Sequence, residues 1–288
     1  MTDLIRLVAF QGQPGAYSDL ACRAYFPGVA TLPCPTFEDA LAAVRDGEAD
    51  RAMIPIENSL AGRVADVHHL MPKSGLHIVG EHFQRVNHQL LAPKGATLDG
   101  IRRARSHVQA LGQCRGFLRA QGIEAVVDAD TAGSARQVAE KGDLTEAAIA
   151  SSLCADLYGL EILKADIEDA KHNTTRMLIL ARVAEVPDIA EGPCITSFVF
   201  RVRSVPAALY KALGGFATNG INLTKLESYM VGGNFVAAQF YADAEGHVDE
   251  RSMRLALEEL RFFSREVKVL GVYPANPFRQ TGMADLGE

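Results

Sequence analysis

A chain of 288 residues, 48% hydrophobic and 22% charged, has the make-up of an ordinary globular protein with room for about two domains. A net charge of −6 without a long basic run argues against nucleic-acid binding, and no stretch approaches the roughly 18 consecutive apolar residues of a membrane span. The five cysteines, at 22, 34, 114, 154 and 194, form no C-x-x-C pair and read as free thiols of a reducing compartment. The N-terminus lacks the apolar core of a signal peptide.

The first 180 residues alternate between strand and helix patterns. A strand is expected over 4–10, helices over 17–26 and 37–47, a strand over 49–57 and a helix over 63–71. One long β-rich stretch covers 76–93. A strand near 105, a helix over 110–121, the strand EAVVDA, a helix over 132–141, the strand AAIA and a helix over 152–158 follow. Strands close the series around LEIL and RMLIL. This alternation predicts an α/β layered fold with mostly parallel strands. The acidic, proline-bearing run 183–193 reads as a linker. Beyond it the order is β-α-β-β-α-β, the ferredoxin-like plan. Pro206 is expected in the first turn of its first helix and Gly232-Gly233-Asn234 in a hairpin turn. Residues 276–288 read as a loose tail.

Polar clusters of the first part fall where strands hand over to helices: Gln11 to Ser18, Glu57 to Gly62, Ser106 to Gln109 with Gln113 and Cys114, and Asp130 to Ser134. The stretch HNTTR, 172–176, delivers further polar groups to the entrance of an apolar strand. Each cluster by itself suits ordinary helix capping and tight turns. Together, at the carboxyl ends of strands and beside helix N-termini, they suit a small anionic ligand rich in oxygen. The histidines at 68, 69, 77, 82 and 88 lack a carboxylate at ligand spacing, so no metal is expected, and no Walker or dinucleotide motif calls for a cofactor.

These pieces resemble the prephenate dehydratase family: Gly12-x-x-Gly15-Ala16-Tyr17-Ser18, PIENSLAGRV at 55–64, Ser106-His107 with Gln113-Cys114, Thr131-Ala132-Gly133 and Thr174-Thr175-Arg176. PAALYKALGGFATNGINLTKLES, 206–228, resembles an ACT domain. The resemblance implies a catalytic region, 1–182, of two α/β subdomains like periplasmic binding proteins, then a ferredoxin-like ACT domain, 194–275. It implies decarboxylating dehydration of prephenate to phenylpyruvate in a cytoplasmic homodimer or homotetramer inhibited by phenylalanine, without a cofactor. A chain opening at the first dehydratase strand makes a fused chorismate mutase unexpected.

By the same resemblance Thr175 donates to the departing hydroxyl, with Asn58, Ser106, Gln113 and Glu57 around it. Thr174, Arg176, Ser18, Ser59 and Thr131 are then substrate contacts, and His172 is a competing acid. Successive strand residues face opposite ways, so Arg176 should face away from Thr175 unless the strand entrance is irregular; a carboxylate contact and a structural ion pair both remain open for it. Ala207, Ala208, Leu209, Asn222, Leu223, Glu227 and Ser228 are the expected phenylalanine contacts. The chain departs from its family at Met177, where phenylalanine is usual. It departs again at Ala207, in the usual Gly-Ala-Leu, and at Tyr229-Met230, in the usual Glu-Ser-Arg-Pro. An arogenate dehydratase and a ligand-binding sensor without chemistry are the rival readings.

Overall fold

The computed structural model describes residues 4–203, 205–231 and 234–280. Along the chain run β1 (Leu7–Gln11), α1 (Tyr17–Tyr25), β2 (Ala30–Cys34), α2 (Phe37–Arg45), β3 (Arg51–Asn58), β4 (Gly62–Arg63), α3 (Ala65–Leu70) and β5 (His77–Arg85). Next come β6 (Gln89–Ala92), β7 (Arg103–His107), α4 (Val108–Gln113), α5 (Arg115–Gln121), β8 (Glu124–Asp128), α6 (Thr131–Lys141), β9 (Glu146–Ala150), α7 (Leu153–Tyr158) and β10 (Glu161–Lys164). The last are β11 (Thr174–Ala181), β12 (Cys194–Val202), α8 (Ala208–Thr218), β13 (Leu223–Val231), β14 (Asn234–Glu245), α9 (Arg251–Phe263) and β15 (Ser264–Pro274).

The strands form three sheets, ordered β2-β1-β3-β11-β5, with β4 on β3, then β10-β6-β9-β7-β8 and β13-β14-β12-β15. The expected mostly parallel arrangement does not hold. The β1–β2, β1–β3, β7–β8 and β7–β9 pairs are parallel, but β11 runs antiparallel to both β3 and β5, and β6 to both β9 and β10. The chain crosses between the first two sheets twice without a helix, at 86–88 and at 165–173, and the returning strands therefore run backwards. The long β-rich stretch 76–93 is thus two strands in two sheets. The two crossings lie side by side, tied by Val86 N–H to the Asn173 carbonyl and Ile167 N–H to the His88 carbonyl, both 2.9 Å.

The β1–α1 turn locks the two lobes together. Gly15 has φ of +89°, and a Cβ there would lie 2.6 Å from Cys154 Sγ, so glycine is required twice over. Its carbonyl accepts from Ser151 Oγ at 2.5 Å, and the Pro14 carbonyl accepts from Tyr158 at 2.6 Å.

The third sheet follows the β-α-β-β-α-β order. Its helices cover one face, where Phe198, Phe200, Phe216 and Leu257 pack. The other face closes the core of the first sheet, with Ile195, Val199, Tyr241, Leu270 and Tyr273 against Ile54, Ile78 and Leu180. Pro206 does not open α8. Ala207 takes a left-handed φ of 58°, which a helix interior excludes, so the helix starts after it. The glycines of the expected 232–234 turn lie outside the described residues. The expected loose tail is docked at its start: Phe278 stacks on Phe83, and Arg279 bonds Glu81 at 2.7 and 2.8 Å. Among the described residues no helix is long and apolar enough to cross a membrane.

Candidate active site

A cavity of about 380 Å³ opens between the first two sheets, lined among others by Tyr17, Ser18, Asn58, Arg63, His88, Gln113, Thr131, Thr175 and Met177. One hydrogen-bonded chain crosses its floor from lobe to lobe, and its polarity is fixed at one end. Asn58 Oδ1 accepts from the N–H groups of Leu60 and Ala61 at 3.0 and 2.8 Å, so its amide nitrogen faces the cavity. That nitrogen donates to Asn173 Oδ1 at 2.8 Å and to Thr175 Oγ1 at 2.9 Å. Asn173 Nδ2 donates to Gln113 Oε1 at 2.9 Å, leaving His88 Nε2, 2.7 Å from the same oxygen, as a second donor. His88 Nδ1 is then an acceptor. The Tyr17 hydroxyl lies 2.7 Å from it and 2.9 Å from the Asn87 carbonyl, with one proton for both.

Burial keeps both ring systems neutral. It lowers the His88 pKa by more than the Gln113 hydrogen bond and the Glu168 charge raise it, and it pushes Tyr17 well above its ordinary value. Thr175 Oγ1 uses a lone pair on Asn58, so its proton remains available to the cavity. The first turns of α1 and α6 border the same space through Tyr17, Ser18 and Thr131, so the positive dipole ends of both helices lie at the cavity. Asp130 partly offsets that field: it lines the cavity and caps α6 through Gly133 N–H at 2.6 Å. The arrangement suits an anion held by neutral donors, with the Thr175 hydroxyl beside it.

Thr175, Asn58, Gln113, Ser18 and Thr131 therefore meet at the cavity. Other expected residues do not. Ser106 is fully buried and donates 2.6 Å to the Ile149 carbonyl, extending the β7–β9 ladder by one side-chain bond. Ser59 braces the strand entrance, accepting from Thr174 N–H at 3.0 Å and donating to the His172 carbonyl at 2.9 Å. Thr174 is thereby used through its backbone, and the His172 side chain is exposed. Of the phenylalanine set, Ala207 precedes α8 while Asn222 and Leu223 follow it. The 11-residue helix, about 16 Å at 1.5 Å per residue, separates the two groups.

Glu57 and Arg176 face the other way. Register at β3–β11 shifts between Arg176 and Met177, which oppose Glu57 and Pro55, so Ile56 is the extra residue. The bulge turns both Pro55 and Asn58 to the cavity beside Thr175 and Met177, and puts Glu57 with Arg176 behind the sheet. There Arg176, 3% exposed, bonds Glu81 at 2.8 Å, Glu57 at 3.0 Å, Asp243 at 2.6 Å and the Tyr273 hydroxyl at 2.9 Å. Lys225 adds a 2.6 Å bond to Glu57. Burial raises the Glu57 and Asp243 carboxyls, but Lys225 and Arg176 at Glu57, and Arg176 at Asp243, outweigh it and hold both below their ordinary range. The cluster is a structural joint between the first and third sheets, and the substrate contact expected of Arg176 is corrected accordingly.

His88, Asn173, Tyr17 and Arg63 complete the site; Asn173, Tyr17 and Arg63 lie within the polar stretches and motifs read from sequence, but none of the four was expected there as a site residue. His88 looked like one of several scattered histidines, and only its place on the inter-lobe crossing reveals its use. Tyr229, at a family departure, packs edge-on against His68 and His69 inside the joint, whereas Met230 is half exposed.

Residues 8–185 match the prephenate dehydratase family. A bifunctional N-acyl-homoserine lactone acylase/prephenate dehydratase of Komagataeibacter europaeus is 54% identical over 276 residues, covering 96% of this chain and 98% of that protein. The chloroplastic arogenate dehydratase/prephenate dehydratase 1 of Arabidopsis thaliana is 39% identical over 286 residues, covering 94% of this chain and 73% of that one. The crystal structure of the Arthrobacter aurescens prephenate dehydratase in complex with L-Phe superposes with a TM-score of 0.84 at 30% identity, over 97% of this chain and 98% of that chain. By this family match and these similarities across nearly its whole length, the chain belongs to the prephenate dehydratase family.

Proposed function

We propose that the chain is a lyase that converts prephenate to phenylpyruvate, carbon dioxide and water. The carrying observation is Thr175, whose Oγ1 accepts from Asn58 and whose proton is free at the cavity. The bond from the ring to its carboxylate breaks, and its electron pair enters the ring. The hydroxyl on the opposite carbon leaves with its pair and takes the Thr175 proton to depart as water. Asn58 stabilises the charge left on Oγ1 until solvent returns the proton. Aromatisation supplies the driving force, so a weak acid suffices. Gln113, Asn173 and His88 hold Asn58 in register, while Ser18, Thr131 and the helix ends receive carboxylate.

In this reading residues 1–182 form the catalytic region and 194–275 an ACT domain that binds phenylalanine as feedback inhibitor in a cytoplasmic homo-oligomer. The separation of Ala207 from Asn222 and Leu223 by the length of α8 within one chain supports a second copy supplying half of each effector site. Asp130 on the cavity wall favours a second substrate, arogenate, whose ammonium it would pair with. Incubation of the purified protein with prephenate, with arogenate and with an N-acyl-homoserine lactone, following product by chromatography, tests these activities. Phenylpyruvate from prephenate is the expected product. Calorimetry with phenylalanine tests the effector, and absence of heat at millimolar ligand removes it.

A further inference from the structure

Among the described residues Arg63 is the arginine or lysine that lines the cavity, and it also touches the third sheet. Its NH1 donates to the Ser228 carbonyl at 2.8 Å and lies 3.5 Å from the Glu227 carboxylate. Both partners are on β13, an edge strand of its sheet. Lys225 of the same strand bonds Glu57, the residue before Asn58. So β13 grips the catalytic lobe at two points, one on the cavity wall and one directly behind it. The remaining N–H groups of the Arg63 fork point to a use: the cavity otherwise offers an anion neutral donors and helix ends, with Asp130 opposing them.

We propose that Arg63 binds a carboxylate of the substrate, and that β13, through Ser228 and Glu227, sets how far the guanidinium reaches into the cleft. Any ligand or neighbour that shifts β13 is then felt as a change in substrate affinity. The inference rests on the dehydratase reading above and adds to it a substrate-binding residue and a route for regulation. Glu227 competes with the substrate for the same cation, so removing its charge tightens binding.

Four proteins test this: the wild type, Arg63→Gln, Glu227→Gln and the double variant, each checked for an unchanged melting midpoint. For Arg63→Gln the Michaelis constant for prephenate rises about 10- to 100-fold while kcat falls less than about threefold, the pattern of lost uniform binding. A fifth protein, Arg63→Lys, restores part of the affinity. Glu227→Gln lowers the Michaelis constant about two- to fivefold in the wild-type background and by less than about 1.5-fold beside Arg63→Gln, because the two residues act as one unit. A Michaelis constant for Arg63→Gln within threefold of wild type overturns the proposal, as does an equal Glu227→Gln effect in both backgrounds. If the wild type yields no product from prephenate or arogenate, the dehydratase reading fails. Calorimetric prephenate affinities of the same four proteins then decide the Arg63 link: the same non-additive pattern upholds it, and equal or absent binding overturns it.

Discussion

Arg176→Met removes the guanidinium from the joint while keeping most of the side chain's bulk. Three carboxylates lose a partner, but unequally. Glu81 keeps Arg279 at 2.7 Å and Glu57 keeps Lys225 at 2.6 Å. Asp243, fully buried, keeps among the described residues only hydroxyl donors, from Tyr241 at 2.8 Å and from Ser197. One uncompensated buried charge destabilises by about 3–5 kcal/mol. At about 2 °C per kcal/mol for a chain of this size, the melting midpoint at pH 7.5 falls by roughly 6–10 °C. The pH dependence gives a second reading. In the wild type, Arg176 holds the Asp243 carboxyl below its ordinary value despite burial, so its contribution is present above pH ~4 and is lost as pH falls through the folded value. Without Arg176, burial is opposed only by the Ser197 and Tyr241 hydroxyls among the described residues, and it raises the folded value above the unfolded one. Stability is then lost as pH rises through that raised value and regained towards acid. The difference between the two proteins should shrink between pH 7.5 and 5.5 in urea denaturation followed by circular dichroism. A loss below about 1 kcal/mol, constant with pH and joined to a tenfold higher Michaelis constant, would refute the joint and restore Arg176 as a substrate contact.

Thr175→Val keeps the shape and removes the hydroxyl; kcat should fall about 10²–10⁴, and near-normal turnover refutes the proton-donor role. The same change costs only about 1 kcal/mol of stability, because Asn58 Nδ2 keeps Asn173 Oδ1 at 2.8 Å. Gly271→Ala would set a Cβ 2.0 Å from the Ile78 carbonyl oxygen, where β15 crosses β5, so the joint must part; a loss of about 2–3 kcal/mol in thermal denaturation is expected, and none would mean the strands slide freely. Burial lowers the folded His88 pKa, so its contribution is full above the unfolded value near 6.5 and is lost as pH falls from there towards the folded value. His88→Gln should flatten the stability profile between pH 7 and 5.5, and an unchanged slope would place the acid sensitivity at His68 and His82, which burial also lowers.

Local order was legible in the sequence wherever a short-range rule governs it. Strand–helix alternation, the polar junctions and the period of two between Thr175 and Arg176 all follow from steric and hydrogen-bonding preferences within a few residues; the elements and the opposite facing of Thr175 and Arg176 are observed, while Ser106 and Ser59 of the junctions turn to other uses. The sequence alone thus grouped Thr175, Asn58 and Gln113 as one candidate site, but it left Arg176 open between a substrate contact and a structural ion pair. It could not say what lies behind the strand, because Glu81, Asp243 and Tyr273 are 95, 67 and 97 residues from Arg176. Nor could periodicity find the extra residue Ile56, which sends Asn58 to the cavity and Glu57 to the joint. Ser106 and His88 exchanged their expected importance for the same reason. A serine at a strand end serves the ladder or the ligand depending on the neighbouring strand, and a histidine matters where the chain crosses between lobes. Those decisions belong to the tertiary structure, since burial and long-range partners, which no local pattern encodes, choose the use of each polar side chain.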